Sequence, residues 1–158
     1  MGEDSQMHSR NETMSRIMRD LMKMHSDSPP GISAAPVSDD IMHWQAIILG
    51  PEDTPWENGI FELTVDFPDD YPHKPPRFKF VTNMYHPNIY VDGSICLDIL
   101  QTNWSSVYDI SAVLNSIRSL LTDPNPNSPA NVEAARLFVT DKDAYEQQVF
   151  RCVQLSLA

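Results

Sequence analysis

Three strand-like segments follow one another in this chain with only short connections between them. Residues 60–67 alternate apolar and polar side chains most clearly, and residues 41–49 and 77–81 show weaker forms of the same pattern. Turn-forming glycine, proline and asparagine residues lie between the segments. Parallel neighbours need a crossover connection that usually contains a helix. Because these connections leave no room for one, the sequence predicts an antiparallel meander.

Helical periodicity appears on both sides of the strand-like segments. Before them, apolar residues recur at helical spacing from about Ser15 to His25. After them, the spacing predicts three helices, over about residues 110–121, 131–139 and 141–155, with Asp109 as an N-cap. A helix, a sheet and then further helices are typical of an α+β fold. Because the first dozen residues are polar, we expect a flexible extension over 1–13 and one folded domain over 14–158.

The charge balance bears on the class of partner. Twenty-two acidic residues against 11 basic ones give a net charge of −11. A surface of this charge repels phosphate groups, so we expect no direct binding to nucleic acid or membrane. The two cysteines, Cys96 and Cys152, form neither a disulfide framework nor a zinc-binding pattern, so we expect no metal site and a reducing intracellular location.

Cys96 is the strongest candidate for a reactive group. A lone cysteine is more often a small buried hydrophobic residue than a nucleophile. This one, however, lies in a stretch of about 25 residues without periodicity, and long irregular stretches in compact domains are usually functional. It follows the turn pair Asp92-Gly93, and the segment before it supplies His86 and Asn88. The pattern predicts a site for acyl transfer to a thiol.

Two catalytic schemes fit these residues. In a cysteine hydrolase, His86 would act as the base and Asp98 would orient it. In an acyl carrier, Cys96 would hold the acyl group as a thioester, and the Asn88 amide could stabilise the oxyanion during attack by an amine. The residue types alone leave both schemes open.

A family resemblance favours the carrier. The run His86-Pro87-Asn88, followed after seven residues by Cys96-Leu97-Asp98-Ile99-Leu100, resembles the active-site signature of ubiquitin-conjugating enzymes. Further segments follow the pattern of that family, namely Trp44-Gln45-Ala46, Thr54-Pro55-Trp56, Tyr71-Pro72-His73-Lys74-Pro75-Pro76, Trp104-Ser105 and Asp123-Pro124-Asn125-Pro126. The resemblance extends over roughly residues 14–155.

The resemblance implies a fold and a set of roles. The family has an N-terminal helix, a four-stranded antiparallel meander and C-terminal helices. By position, Cys96 accepts ubiquitin from the activating enzyme and passes it to a substrate lysine, with no cofactor because ATP is used by the activating enzyme. Asn88 supports the oxyanion or orders the active-site loop, and His86 is structural rather than a base. Asp98 either orients or deprotonates the lysine, or caps its own loop.

Two further residues are expected to support the site. Tyr85 flanks it and is expected to pack the irregular loops rather than bind a ligand. Ser128 stands where many relatives carry an acidic residue, and residues 127–131 are similar to the histone-ubiquitylating, DNA-damage-tolerance subgroup. The resemblance therefore implies histones or DNA-repair factors as substrates and a location in both cytoplasm and nucleus.

A ligase-binding surface is also implied. In the family it combines the first helix with two loops, represented here by Arg16, by His73 and by Ser105-Ser106-Val107. Most relatives have proline where Ser106 stands, so the choice among RING-type ligases is open. We expect a monomer. The non-enzymatic alternative is a catalytically silent variant that serves as a binding scaffold, although such variants usually lack the cysteine that is present here.

Overall fold

The computed structural model describes the backbone of residues 2–158 and the side chains of Met7 and residues 9–158. Its elements are α1 (Gly2–Ser26), β1 (Ile32–Val37), β2 (Asp40–Leu49), β3 (Ile60–Asp66), β4 (Arg77–Phe80), a 3₁₀ helix (Asp98–Leu100), α2 (Ile110–Thr122), α3 (Val132–Thr140) and α4 (Lys142–Ser156). The strands form one sheet in the order β1-β2-β3-β4, and every neighbouring pair is antiparallel. The predicted α+β architecture and antiparallel meander are confirmed.

The core lies between one face of the sheet and the helices. In β3 the alternation places Phe61, Leu63 and Val65 fully inside. The apolar stripe of α2 is buried along its length, as the helical spacing predicts. The side chain of Asp109 accepts a hydrogen bond from the backbone N–H of Ala112, which confirms the predicted N-cap of α2.

Two elements differ from the residue-level predictions. Strand β1 contains two alanines and a proline, so its sequence shows no apolar alternation, yet it pairs with β2. Helix α1 begins at Gly2 rather than near Ser15, and Thr13 packs on the body of the protein, where its hydroxyl donates to the Asp69 carbonyl (3.0 Å). The division into an extension over 1–13 and a domain over 14–158 stays a prediction.

The chain from 81 to 109 contains no strand of the sheet and only the short 3₁₀ helix, so the predicted irregular segment is confirmed. This segment runs along β4, where the backbone N–H of Phe80 donates to the Gly93 carbonyl (2.9 Å). Among the helices described over residues 2–158, none has the length and apolar character needed to cross a membrane.

Candidate active site

A small hairpin presents Cys96. Ile89 pairs with Ile95, and the Cys96 N–H donates to the Asn88 carbonyl (2.8 Å). At the tip, Gly93 has φ +95°, and a Cβ atom there would lie 2.1 Å from the Phe80 carbonyl oxygen. Only glycine combines this φ with such a close approach. The turn predicted from Asp92-Gly93 is therefore confirmed, and it sets the distance between the hairpin and β4.

The two cysteines have different surroundings. Cys96 is partly exposed and its thiol is free. Cys152 lies on α4 with 8% of its surface exposed, and burial raises the pKa of its thiol. Burial therefore keeps Cys152 out of reach and disfavours its thiolate, which is the nucleophilic form. Cys96 is the cysteine that a large acyl donor can reach.

His86 is fully buried and fully bonded. Its Nδ1 accepts from the Asn88 N–H (2.9 Å), and its Nε2 donates to the Leu120 carbonyl (2.7 Å). These two bonds require the neutral imidazole protonated at Nε2. Burial lowers the pKa of His86 to about 4. With no ring nitrogen available, His86 cannot activate water or the thiol, which favours the structural role over the hydrolase scheme.

We expect His86 to make folding stability depend on pH. The unfolded chain takes up the His86 proton near pH 6.5, whereas the folded protein resists it until the pH approaches about 4. The stability contributed by neutral His86 is therefore present above about pH 6.5 and is lost as the pH falls toward 4. Between pH 7.5 and 4.5 the loss is about 2.5 kcal/mol.

Urea unfolding at these two pH values tests this expectation. The matched variant is His86→Asn, whose carboxamide oxygen can still accept from the Asn88 N–H but does not titrate. Carboxylate titrations common to both proteins cancel in the comparison. If the free energy of unfolding fell as much in the variant as in the wild type, the assignment to His86 would be wrong.

The Asn88 side chain joins the Cys96 hairpin to the loop between α2 and α3. Its Nδ2 donates to the carbonyls of Asn125 (2.8 Å) and Ser128 (3.2 Å), and its Oδ1 accepts from the Asn125 N–H (2.7 Å). The residue is 1% exposed. Both amide hydrogens are therefore used within the protein, and this geometry favours loop ordering over direct donation to an oxyanion.

The same loop is held at its far end by the neighbouring residue. The Pro87 carbonyl accepts from the N–H groups of Ala130 (2.7 Å) and Asn131 (3.0 Å). Pro87 and Asn88 together thus anchor four positions of the 123–131 segment against the hairpin that carries Cys96. Ser128 takes part through its carbonyl oxygen and leaves its side chain exposed.

Asp98 lies two residues after Cys96 at the start of the 3₁₀ helix. Its Oδ1 accepts from the Ile99 N–H (2.8 Å), and its Oδ2 accepts from the Asn103 side-chain amide (3.2 Å). Asp98 is exposed. These contacts give it a loop-capping role, while an exposed carboxylate keeps free lone pairs that an incoming amine could reach.

The aromatic residues beside the site pack the loops. The ring of Tyr85 packs against that of Tyr145 of α4 in a tilted arrangement with 6.0 Å between ring centroids, and burial raises the pKa of Tyr85. The Trp104 Nε1 donates to the Pro72 carbonyl (3.0 Å), and the Trp104 ring lies 5.8 Å from that of Tyr108. Both residues thus contact other parts of the protein through their rings.

The residues predicted to bind a ligase lie on one face. Arg16, His73 and Ser106 line a single shallow groove between α1 and two loops. Ser105 and Val107 flank Ser106, and Val107 is 84% exposed. The structure thus brings together side chains that are up to 91 positions apart in the chain, from Arg16 to Val107.

Sequence reasoning missed a buried polar cluster behind this groove. Asp20 is 3% exposed, accepts from the Tyr71 hydroxyl, and pairs with Arg16 (3.1 Å). Burial raises the pKa of Asp20, although its bonds to Tyr71 and Arg16 oppose that shift. The i, i+4 spacing of Arg16 and Asp20 was the available signal, but it is equally typical of an exposed helix pair.

Within the part of the chain that the structure describes, no group of three His, Cys, Asp or Glu side chains is arranged to hold a metal ion. The site itself offers a partly exposed thiol and, beside it, a loop that the Asn88 side-chain amide holds in place.

Comparisons with known proteins agree with this geometry. A model of the ubiquitin-conjugating enzyme family matches residues 16–153. The chain is 59% identical to ubiquitin-conjugating enzyme E2 3 of Arabidopsis thaliana over 141 residues, which are 89% of this chain and 94% of that protein. Over the same share of this chain it is 54% identical to ubiquitin-conjugating enzyme E2 2 of Candida glabrata, covering 84% of it, and 53% identical to ubiquitin-conjugating enzyme E2 1 of Caenorhabditis elegans, covering 73%. A thiol-bearing hairpin and a match along nearly the whole chain lead to one conclusion: the chain belongs to the ubiquitin-conjugating enzyme family, whose members receive ubiquitin from an activating enzyme as a thioester and transfer it with a ligase.

Proposed function

We propose that Cys96 is the residue that carries ubiquitin. The observation that supports this most directly is the pairing of a partly exposed thiol with a histidine whose ring nitrogens are both engaged. A carrier has to keep its thioester intact until an amine arrives, and a free imidazole beside it would activate water instead. The arrangement suits a carrier better than a hydrolase.

Transfer then proceeds without a resident cofactor. The substrate lysine Nζ attacks the thioester carbonyl, the C–N bond forms, and the C–S bond breaks to release the Cys96 thiolate. The amine gives up its proton to solvent, to Asp98 or to the released thiolate. Asn88 holds the 123–131 segment in place during this step. ATP is consumed only by the activating enzyme.

Incubation of the wild-type protein with activating enzyme, Mg-ATP and ubiquitin tests the proposal. We expect a 1:1 adduct that disappears on addition of dithiothreitol, together with loss of Cys96 alkylation in a peptide map. Absence of an adduct would favour a binding scaffold. Cleavage of a fluorogenic ubiquitin amide by the isolated protein would favour a hydrolase.

We further propose a RING-type ligase as partner, with histones or DNA-repair factors as substrates. The groove lined by Arg16, His73 and Ser106, with exposed Val107 at its edge, supports the choice of partner. Residues 127–131, which resemble the histone-ubiquitylating subgroup, support the choice of substrate. We propose in addition that the protein acts as a monomer in both nucleus and cytoplasm.

Discharge assays separate these finer proposals from the basic one. The charged protein is mixed with a panel of RING domains and with free lysine or nucleosomes as acceptor. We expect at least one RING domain to accelerate discharge to lysine and to direct ubiquitin onto a histone. Acceleration with lysine but not with nucleosomes would contradict the histone proposal while leaving the RING partner in place.

A further inference from the structure

The loop that carries Ser105, Ser106 and Val107 is a β-turn. The Tyr108 N–H donates to the Ser105 carbonyl (3.1 Å), which closes the turn, and the Val107 N–H donates to the Ser105 hydroxyl (3.3 Å). Ser106 therefore occupies the second position of the turn and Val107 the third. Val107 projects into solvent with 84% of its surface exposed. A short turn of this kind has no sheet or helix to keep its conformation.

Arg16 of α1 binds this turn from the protein side. Its Nη1 donates to the Ser106 carbonyl (2.7 Å) and its Nη2 donates to the Tyr108 carbonyl (2.8 Å). The planar guanidinium thus holds two carbonyl groups of one turn in fixed relative positions, which a point charge cannot do.

The arginine itself is held by two further contacts. Its Nε donates to Asp20 (3.1 Å), and its guanidinium carbon lies 5.3 Å from the centroid of the Tyr71 ring. The Tyr71 hydroxyl donates to the other carboxylate oxygen of Asp20. Only 11% of the Arg16 side chain is exposed. Every guanidinium nitrogen is engaged inside the protein, so little of Arg16 is left for contact with a partner.

We propose that Arg16 is a positioning residue that orders the Ser105–Tyr108 turn for ligase binding, rather than a ligase contact. This inference rests on the proposed function, because it concerns the partner of the same surface. A turn that is already ordered binds more tightly, because less conformational freedom is lost on association. The Asp20–Tyr71 pair in turn keeps Arg16 in its rotamer.

The informative variant is Arg16→Lys. Lysine keeps a positive charge beside buried Asp20, so the carboxylate is not left unpaired, but it cannot bind both carbonyls and Asp20 in the fork geometry of arginine. We expect the RING concentration for half-maximal discharge to rise about tenfold, the order expected when the backbone of one residue must be ordered on binding. The discharge rate at saturating RING domain is expected to stay the same.

A second substitution, Ser106→Pro, should restore the RING affinity that Arg16→Lys loses. No hydrogen bond from the Ser106 N–H is formed with the part of the chain that the structure describes, and proline is favoured at the second position of such a turn. Ser106→Pro should therefore restrain the turn without Arg16. We expect it to restore most of the RING affinity in the Arg16→Lys protein, and to improve the affinity less when Arg16 is present, because the turn is then already ordered. A direct contact between Arg16 and the ligase would not be restored in this way.

Amide hydrogen exchange tests the same inference without a ligase. The Tyr108 N–H, which closes the turn, should exchange about tenfold faster in Arg16→Lys and return toward the wild-type rate in the double variant. Arg151→Lys, the same substitution on α4, is the control. It should change neither the amide exchange rate of Tyr108 nor the RING concentration for half-maximal discharge. The RING domain used is the one that most accelerates discharge in the panel described above.

Three results would overturn the inference: unchanged exchange at Tyr108 in Arg16→Lys, weakened RING binding that Ser106→Pro does not restore, or a reduced discharge rate at saturating RING domain. Failure of every RING domain to accelerate discharge would instead contradict the proposed partner, while exchange at Tyr108 would still decide whether Arg16 orders the turn. Failure of the proposed function itself would appear earlier, as a protein that forms no reductant-sensitive adduct.

Discussion

Replacing Cys96 with serine is expected to trap ubiquitin as an ester that dithiothreitol does not cleave and to abolish measurable transfer to lysine. The hydroxyl is a weaker nucleophile than a thiolate and a poorer leaving group, so the adduct forms slowly and then persists. Cys96→Ala should form no adduct. Gel analysis with and without reductant, followed by a lysine chase, measures both effects.

The second cysteine supplies the matched control. Cys152→Ser changes the same atom in a buried position on α4, where burial already raises the pKa of the thiol. We expect its reductant-sensitive adduct and its lysine transfer to match the wild type. An adduct that persists in Cys96→Ala, or that is lost in a folded Cys152→Ser protein, would show that the wrong thiol has been assigned.

Replacing Asn88 with alanine is expected to slow lysine discharge on the order of 10²-fold, while the thioester still forms. The change removes three hydrogen bonds that join the Cys96 hairpin to Asn125 and Ser128. The loop beside the thioester then samples many conformations, and small displacements of groups near a reacting centre cost about this much in rate. Single-turnover discharge from purified, charged protein measures the effect.

Loop ordering and direct oxyanion donation predict different accompanying changes. If Asn88 acts by ordering the loop, amide exchange over residues 123–131 should accelerate in the Asn88→Ala protein. Asn127→Ala is the matched control, because this exposed residue lies in the same loop and its replacement leaves the three Asn88 bonds intact. Slow discharge with unchanged exchange would favour a direct donor, and unchanged discharge would exclude both roles.

The order of elements was largely readable from local patterns. Connection length predicted the antiparallel meander, and helical spacing with Asp109 as a cap predicted α2, because both signals reside in neighbouring residues. Strand β1 was not predicted from its own residues, since its alanines and Pro36 show no alternation. It forms a strand because β2 offers a pairing partner. The early start of α1 was missed for the same reason, since its first residues are polar and carry no periodic apolar stripe.

For the site, the sequence by itself determined the candidate residues and the family to which they point, because the segment around His86, Asn88 and Cys96 is short and characteristic. The residue types alone left the role of His86 open, since an imidazole can be a base or a buried support, and the family resemblance implied the support. The tertiary structure supplies the physical reason, because it buries the ring and places the Leu120 carbonyl against Nε2. The tertiary structure likewise assembled Arg16, Asp20 and Tyr71 into one cluster. The physical reason is common to both cases: burial and hydrogen-bond partners that lie far away in the chain determine what a polar side chain can do, and one-dimensional spacing does not contain them.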